Sequence, residues 1–189
     1  MPSSQVPHGN NWDVVLASLQ GLAFRPEVLL EEVPAPTRLA PQSFALAADV
    51  VSAQDQDLAN GRFVVLHDPI GQDTWDGDLR IVTFIKASVE SDLVTDELFD
   101  EVAWTWLTET LDDFTAMHHN LSGTITRTIS RSFADLRDRE SECELELRAS
   151  WTPDSYRIAE HLEAWVHVLE RCAGLEPLPP GVTPLPRNK

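Results

Sequence analysis

The densest collection of reactive side chains in this sequence lies between His67 and Asp78, where one imidazole and four carboxylates (Asp68, Asp73, Asp76, Asp78) fall within twelve residues. Two kinds of chemistry use such a set. Oxygen ligands can gather a hard cation such as calcium or magnesium, and a carboxylate beside an imidazole can pair an acid with a histidine base. The spacing is not that of an EF-hand, which needs acids at alternate positions, glycine at the sixth and glutamate at the twelfth. The opposing reading is geometric: Asp, Gly and Pro serve a hairpin loop, and Trp75 packs down as its lid. No metal and no cofactor is expected.

The other histidines offer less. His118 and His119 are adjacent and cannot both face one metal from a regular helix, whereas at a helix C-terminus both would complement its dipole when protonated. His161 and His167 are six apart and fall on different helical faces, so zinc chemistry of the HExxH kind is absent. No GxSxG, Walker loop, GxGxxG or SxxK motif is present. The hydrolase, nucleotide-binding and dinucleotide-binding classes thereby lose their usual markers, and no catalytic residue is assigned.

Arg127 and Arg131 fall on the same strand face as Ile125, Ile129 and Phe133. Guanidinium groups there either pair with Glu144 or Glu146 across a hairpin or form a receptor for a carboxylate or phosphate. Trp104 and Trp106 diverge by about 200° on a helix, so one should flank the core or stand exposed. It would then serve as a contact residue or pack beneath the proline-rich stretch from Val33 to Pro41. The candidate ligand or partner residues are therefore His67, Asp68, Trp75, Trp104, Arg127 and Arg131.

The elements that must position these residues follow from hydrophobic spacing. Asn11 caps a short helix bearing Trp12, Val15, Leu16, Leu19 and Leu22, ended by Gly21 and Pro26. Pro26 then opens one helical turn over 27–32. Strands are expected from Ser43 to Val50, from Arg62 to His67 after a turn at Asp55, Asp57 and Asn60-Gly61, and from Leu79 to Val89, with the 68–78 loop between the last two. Thr95 caps the clearest helix, whose stripe is Leu98, Val102, Ala103 or Trp106, Leu107, Leu111, Phe114 and Met117, and which ends at His118-His119-Asn120. Two further strands, Thr124 to Phe133 and Cys143 to Trp151, flank an exposed charged loop at 135–142. Thr152-Pro153 opens the last helix, with Ile158, Leu162, Trp165, Leu169 and Cys172 on one face and Gly174 as its stop.

The order α-β-β-β-α-β-β-α favours an α+β fold, a mainly antiparallel sheet of about five strands with helices on one face, similar in topology to secretion-chaperone-like folds. Residues 1–11 are expected to be a disordered tail, 12–183 a single domain and 184–189 a flexible end. Within the domain, 175–183 is expected to dock as an extended strap, the competing reading being an exposed polyproline ligand.

The 189 residues are 42% hydrophobic, enough for one buried core, and carry 31 acids against 14 bases for a formal net charge of -17. That balance argues against nucleic acid as a direct partner and against an anionic membrane surface. No signal peptide and no long apolar run is evident. Cys143 and Cys172 read as small buried thiols.

Several segments resemble an uncharacterised actinobacterial family catalogued as domain of unknown function 3000. They are Arg25-Pro26-Glu27, Arg38-Leu39-Ala40-Pro41, Gly61-Arg62, Leu66-His67-Asp68-Pro69 with Gly71-Gln72, Trp75 with Gly77, Glu101-Val102-Ala103-Trp104 with Trp106-Leu107, Arg148 to Pro153, and Leu178 to Val182. The resemblance runs from about residue 12 to 186. It implies a cytoplasmic protein whose gene often lies beside a ribonuclease D-like exonuclease, and it brings no catalytic residues.

The expectation is a cytoplasmic, non-enzymatic protein-binding or adaptor module with a protein partner, in which such an exonuclease is one candidate. The alternative is a small enzyme or anionic-ligand sensor using the His67/Asp68 loop and the Arg127/Arg131 face. The sequence leaves the oligomeric state open.

Overall fold

The structure, a computed structural model, describes residues 11–138 and 141–178. Its elements are α1 (Asn11–Ser18), β1 (Val28–Glu32), β2 (Gln42–Val51), β3 (Asp57–Gln72), β4 (Gly77–Ser88), α2 (Ser91–Thr95), α3 (Phe99–Asp113), β5 (His118–Ser130), β6 (Glu142–Pro153) and α4 (Ala159–Cys172), with one 3-10 turn at Ala134–Leu136. The strands form one antiparallel sheet in the order β1-β2-β3-β4-β6-β5. The protein is thus a single α+β domain.

Alternation along the strands divides the sheet into two unlike faces. Phe63 and Val65 of β3, Ile81 and Ile85 of β4, and Leu145, Leu147 and Trp151 of β6 all point to one face and are fully buried. α3 and α4 pack against each other and cover that face. Ile158, which caps α4, and Leu162, Trp165, Leu169 and Cys172 within it are buried as the spacing requires, and Val166 and Val168 as well, because the helix is enclosed by both sheet and α3.

Trp165 explains a glycine in mid-strand. A Cβ on Gly61 would stand 2.7 Å from Trp165 Cζ2 and 2.6 Å from the Phe84 carbonyl oxygen. Asn60-Gly61 is therefore strand, paired with Asp49 and Ala48 of β2, and the turn lies earlier at residues 52–56, closed by a 2.8 Å bond from the Ser52 amide to the Gln56 carbonyl.

Other expected boundaries also move. Residues 28–32 form β1 and not a helical turn, because pairing with β2 overrides the start signal of Pro26. The supposed 68–78 loop is strand except for a tight turn at 73–76, so β3 and β4 form one long hairpin. Thr95 caps nothing; it ends α2 and donates to the carbonyls of Ser91 and Asp92. α3 starts at Phe99 and buries Phe99, Ala103, Leu107, Thr110 and Leu111, leaving Leu98, Val102 and Met117 exposed. His118 and His119 open β5, since Thr115 at φ 52° turns the chain out of the helix. β6 runs through Pro153, and α4 begins six residues later than expected from Pro153.

Asn11 is the first residue of α1. The expected tail over 1–10, the outer strap residues 179–183 and the end at 184–189 lie outside the described residues. Leu175 packs against the core, and Arg25 donates to the Glu176 carbonyl at 2.9 Å. No helix among the described residues is long and apolar enough to cross a membrane.

Candidate functional site

His67 and Asp68 are neighbours on β3 and therefore diverge. His67 is buried, its ring stacked on Trp12 at 5.8 Å and meeting the edge of Tyr156 at 6.3 Å. Its Nδ1 lies 2.6 Å from Gln42 Oε1, and its Nε2, 3.7 Å from Asp78 Oδ2, has no hydrogen-bond partner. The Tyr156 hydroxyl donates to the same carboxylate oxygen of Asp78, and this bond, with burial, raises the Tyr156 pKa. The register that sets His67 opposite Leu79 creates this group. Its effect is to fasten α1, the β3–β4 hairpin and the segment before α4 together. Asp68 instead accepts from the Ile70 amide at 3.2 Å and from Gln72 Nε2 at 3.1 Å, holding the irregular end of β3.

Trp75 is half-buried in the hairpin turn, with its carbonyl accepting from Thr152 Oγ1. The turn is held a second time by His119, whose Nδ1 lies 2.6 Å from Asp154 Oδ1 and whose Nε2 lies 2.9 Å from the Asp76 carbonyl. The bond to the Asp76 carbonyl, followed by the one to Asp154, raises the His119 pKa. Asp68, Asp76 and Asp78 thus serve separate contacts, and among the described residues no group of three or more candidate metal ligands exists.

Arg127 pairs with neither Glu144 nor Glu146. Its guanidinium donates to the carbonyls of Val94 and Asp96 at 2.8 and 2.7 Å and pairs with Asp100 at 2.8 Å, tying the α2–α3 junction to β5. Arg131 is exposed beyond β5, at the rim of a hollow that also touches Glu90, Asp92 and Thr95. Neither tryptophan of α3 stands free. Trp104 lies over Gly123 of β5, and Trp106 lies against Phe99 and under the Arg171 guanidinium at 5.5 Å.

The structure does not bring the histidine and arginine candidates together. Arg127 lies in register with Leu145, Ala87 and Ala59. His67 is eight residues further along β3, about 26 Å in strand rise.

The sheet face turned away from α3 and α4 is the more distinctive surface. Across its middle run the rows Ala45, Val64, Val82, Ser150, Ser122 and Ala47, Arg62, Phe84, Arg148, Thr124. Val82, on a central strand, is 37% exposed. A shallow hollow of about 550 Å³ lies over Val82, Phe84, Ser122, Thr124, Arg148 and Ser150. The Arg148 guanidinium stands 5.3 Å from the Phe84 ring and pairs with Glu146, while Lys86 pairs with Glu144 at 2.9 Å. At one end Arg80 is buried, donating to Ser150, Thr152 and the Asn120 carbonyl, and burial lowers its pKa.

Sequence reasoning missed Arg80, Gln42 and Tyr156. Only Arg80 had a local signal, as a cation among the apolar residues from Leu79 to Ile85; the other two depend on partners 25 and 78 residues away.

The fold and this surface define an α+β protein whose sheet is helix-covered on one face and, among the described residues, bare of helices on the other, where only the end holding Ala45, Leu66, Arg80 and Thr152 is buried. The chain belongs to the family described as protein of unknown function (DUF3000), whose model matches residues 8–183. No curated protein and no solved structure matches it.

Proposed function

We propose that this protein is a cytoplasmic, non-enzymatic protein-binding module that makes contact through the bare face of its sheet. The observation that carries this reading is the exposure of Val82 at the centre of a six-stranded sheet, beside the half-buried Phe84. Apolar surface in that position is what a partner covers. The ion pairs of Lys86 with Glu144 and Arg148 with Glu146 neutralise this region locally, although the chain as a whole is strongly acidic. Two free buried thiols suit a reducing compartment.

An enzyme or anion sensor joining His67 to Arg127 has no support in their separation, and both side chains are already engaged in holding elements together. The first partner to try is the ribonuclease D-like exonuclease implied by the family resemblance, with protein contacts and not nucleic acid as the link.

The test is affinity capture from native lysate with the wild-type chain and with Val82→Glu, melting both proteins as a control. A stoichiometric partner held by the wild type and lost from a stably folded Val82→Glu supports the reading. Absence of any stoichiometric partner overturns it.

A further inference from the structure

The two outer strands of the sheet are built differently. β1 is five residues long, carries Glu31 and Glu32, and is followed by Pro34 and Pro36. Short length, charge and proline are the features that stop another strand from pairing. β5 is thirteen residues long, contains no acid and no proline, and pairs with β6 alone. In an antiparallel ladder every second residue turns its N–H and C=O away from the neighbouring strand. Among the described residues no backbone hydrogen bond beyond the β5–β6 ladder reaches 122–130.

Two hollows meet at Gly123 on this edge. One is the hollow on the bare face, floored by Val82 and Phe84. The other, about 440 Å³, lies on the helix side among Asp100, Glu101, Trp104, Thr105 and Ile125. Asp100 is taken by Arg127, whereas Glu101 is exposed and in no ion pair among the described residues. Further exposed apolar side chains are Leu98 and Val102 at the start of α3 and, farther along the chain from Gly123, Ile129 and Phe133.

We infer that β5 is a docking edge for an extended segment of a partner protein, which adds to the sheet as a further strand with basic and apolar side chains in alternation. Successive side chains of a strand point to opposite faces. One set lies over Ser122 and Thr124, the β5 rim of the hollow on the bare face, and is apolar; the other meets the Glu101 carboxylate and the Trp104 indole and is cationic. The acidity of the whole chain draws such a segment in. This inference rests on the protein-binding reading and names its site and ligand chemistry.

The test is an amide-resonance titration of the full chain with three capped octapeptides at up to millimolar concentration: alternating Lys-Val, a block of lysines followed by a block of valines, and alternating Glu-Val. The expected result is saturable shifts over residues 121–131 and the Trp104 indole. Alternating Lys-Val should bind at least about tenfold more tightly than the block peptide of equal charge, and Glu101→Lys should reverse the preference toward Glu-Val. No saturable shift, equal binding of the block peptide, or shifts centred elsewhere overturns the docking edge. If a lysate partner is still lost on Val82→Glu, that failure leaves the protein-binding reading standing; if no partner is held at all, the broader reading falls as well.

Discussion

The six-membered ring of Trp165 occupies the space a side chain on Gly61 would need, with Cζ2 2.7 Å from where a Cβ would stand. Trp104 has the same relationship to Gly123, at 2.6 Å from Cζ3. Each long helix therefore seats one indole on a glycine, α4 on β3 and α3 on β5. Gly61→Ala and Gly123→Ala should each destabilise the fold by about 1–3 kcal/mol through overpacking. Urea denaturation measures this, and an unchanged midpoint in either variant would show that the indoles yield freely.

His161 makes stability sensitive to acid. Trp151 donates from Nε1 to His161 Nδ1 at 3.0 Å, which fixes the neutral tautomer. Burial, with a smaller contribution from His118, lowers its pKa from 6.5 to about 4. The unfolded chain therefore binds a proton that the folded chain refuses between those values, so stability is intact above pH 6.5 and falls as pH drops toward 4. The full loss is about 3 kcal/mol. His161→Asn, whose amide oxygen can still accept from Trp151, should flatten that dependence in denaturation curves taken across the window.

His119 acts in the opposite sense. Its raised pKa means that the contribution of its protonated form is present below the ordinary histidine value and is lost as pH rises through the folded-state value. The ring is two-fifths exposed, so the global effect is small. The expected result is local: a His119 titration midpoint above that of a free histidine, with faster amide exchange at 73–77 as the ring loses its proton.

Calcium or magnesium at millimolar concentration should leave the melting temperature nearly unchanged. Asp68 holds Ile70 and Gln72, Asp76 and Asp78 face different histidines, and among the described residues no three candidate ligands come together. A saturable shift abolished by Asp73→Ala or Asp76→Ala would contradict this.

Truncation after Gly174 should lower stability by about 1 kcal/mol or more, the scale of exposing one packed aliphatic side chain. It removes Leu175 from the core and deprives Arg25 of the Glu176 carbonyl. An unchanged denaturation curve would show that this contact contributes little.

Elements whose spacing and tertiary environment agreed were readable from the chain. β6 alternates from Cys143 to Trp151 because one side meets helices and the other does not, and α4 shows its stripe from Ile158 to Cys172 for the same reason. Misreadings arose where a local signal served a distant partner. Asn60-Gly61 has turn composition, yet the glycine exists for Trp165; the 28–32 strand is imposed by β2; and His118-His119 leaves the helix because of backbone geometry at Thr115. The site residues were subject to the same limit. Arg127 finds its partners some thirty residues earlier in the chain, and Asp78 is completed by Tyr156. The bare sheet face could not be read from sequence, since alternation shows two unlike faces without saying which one a helix covers.

Lysine provides the most direct measurement of whether a partner covers that face. The chain has two, Lys86 and Lys189, and Lys86 lies on the bare face two residues from Phe84, paired with Glu144. Acetylation of the complex retained from native lysate should label Lys86 several-fold less than in the free protein treated in parallel with the same reagent. Equal labelling of Lys86 in the free and complexed protein would contradict the account.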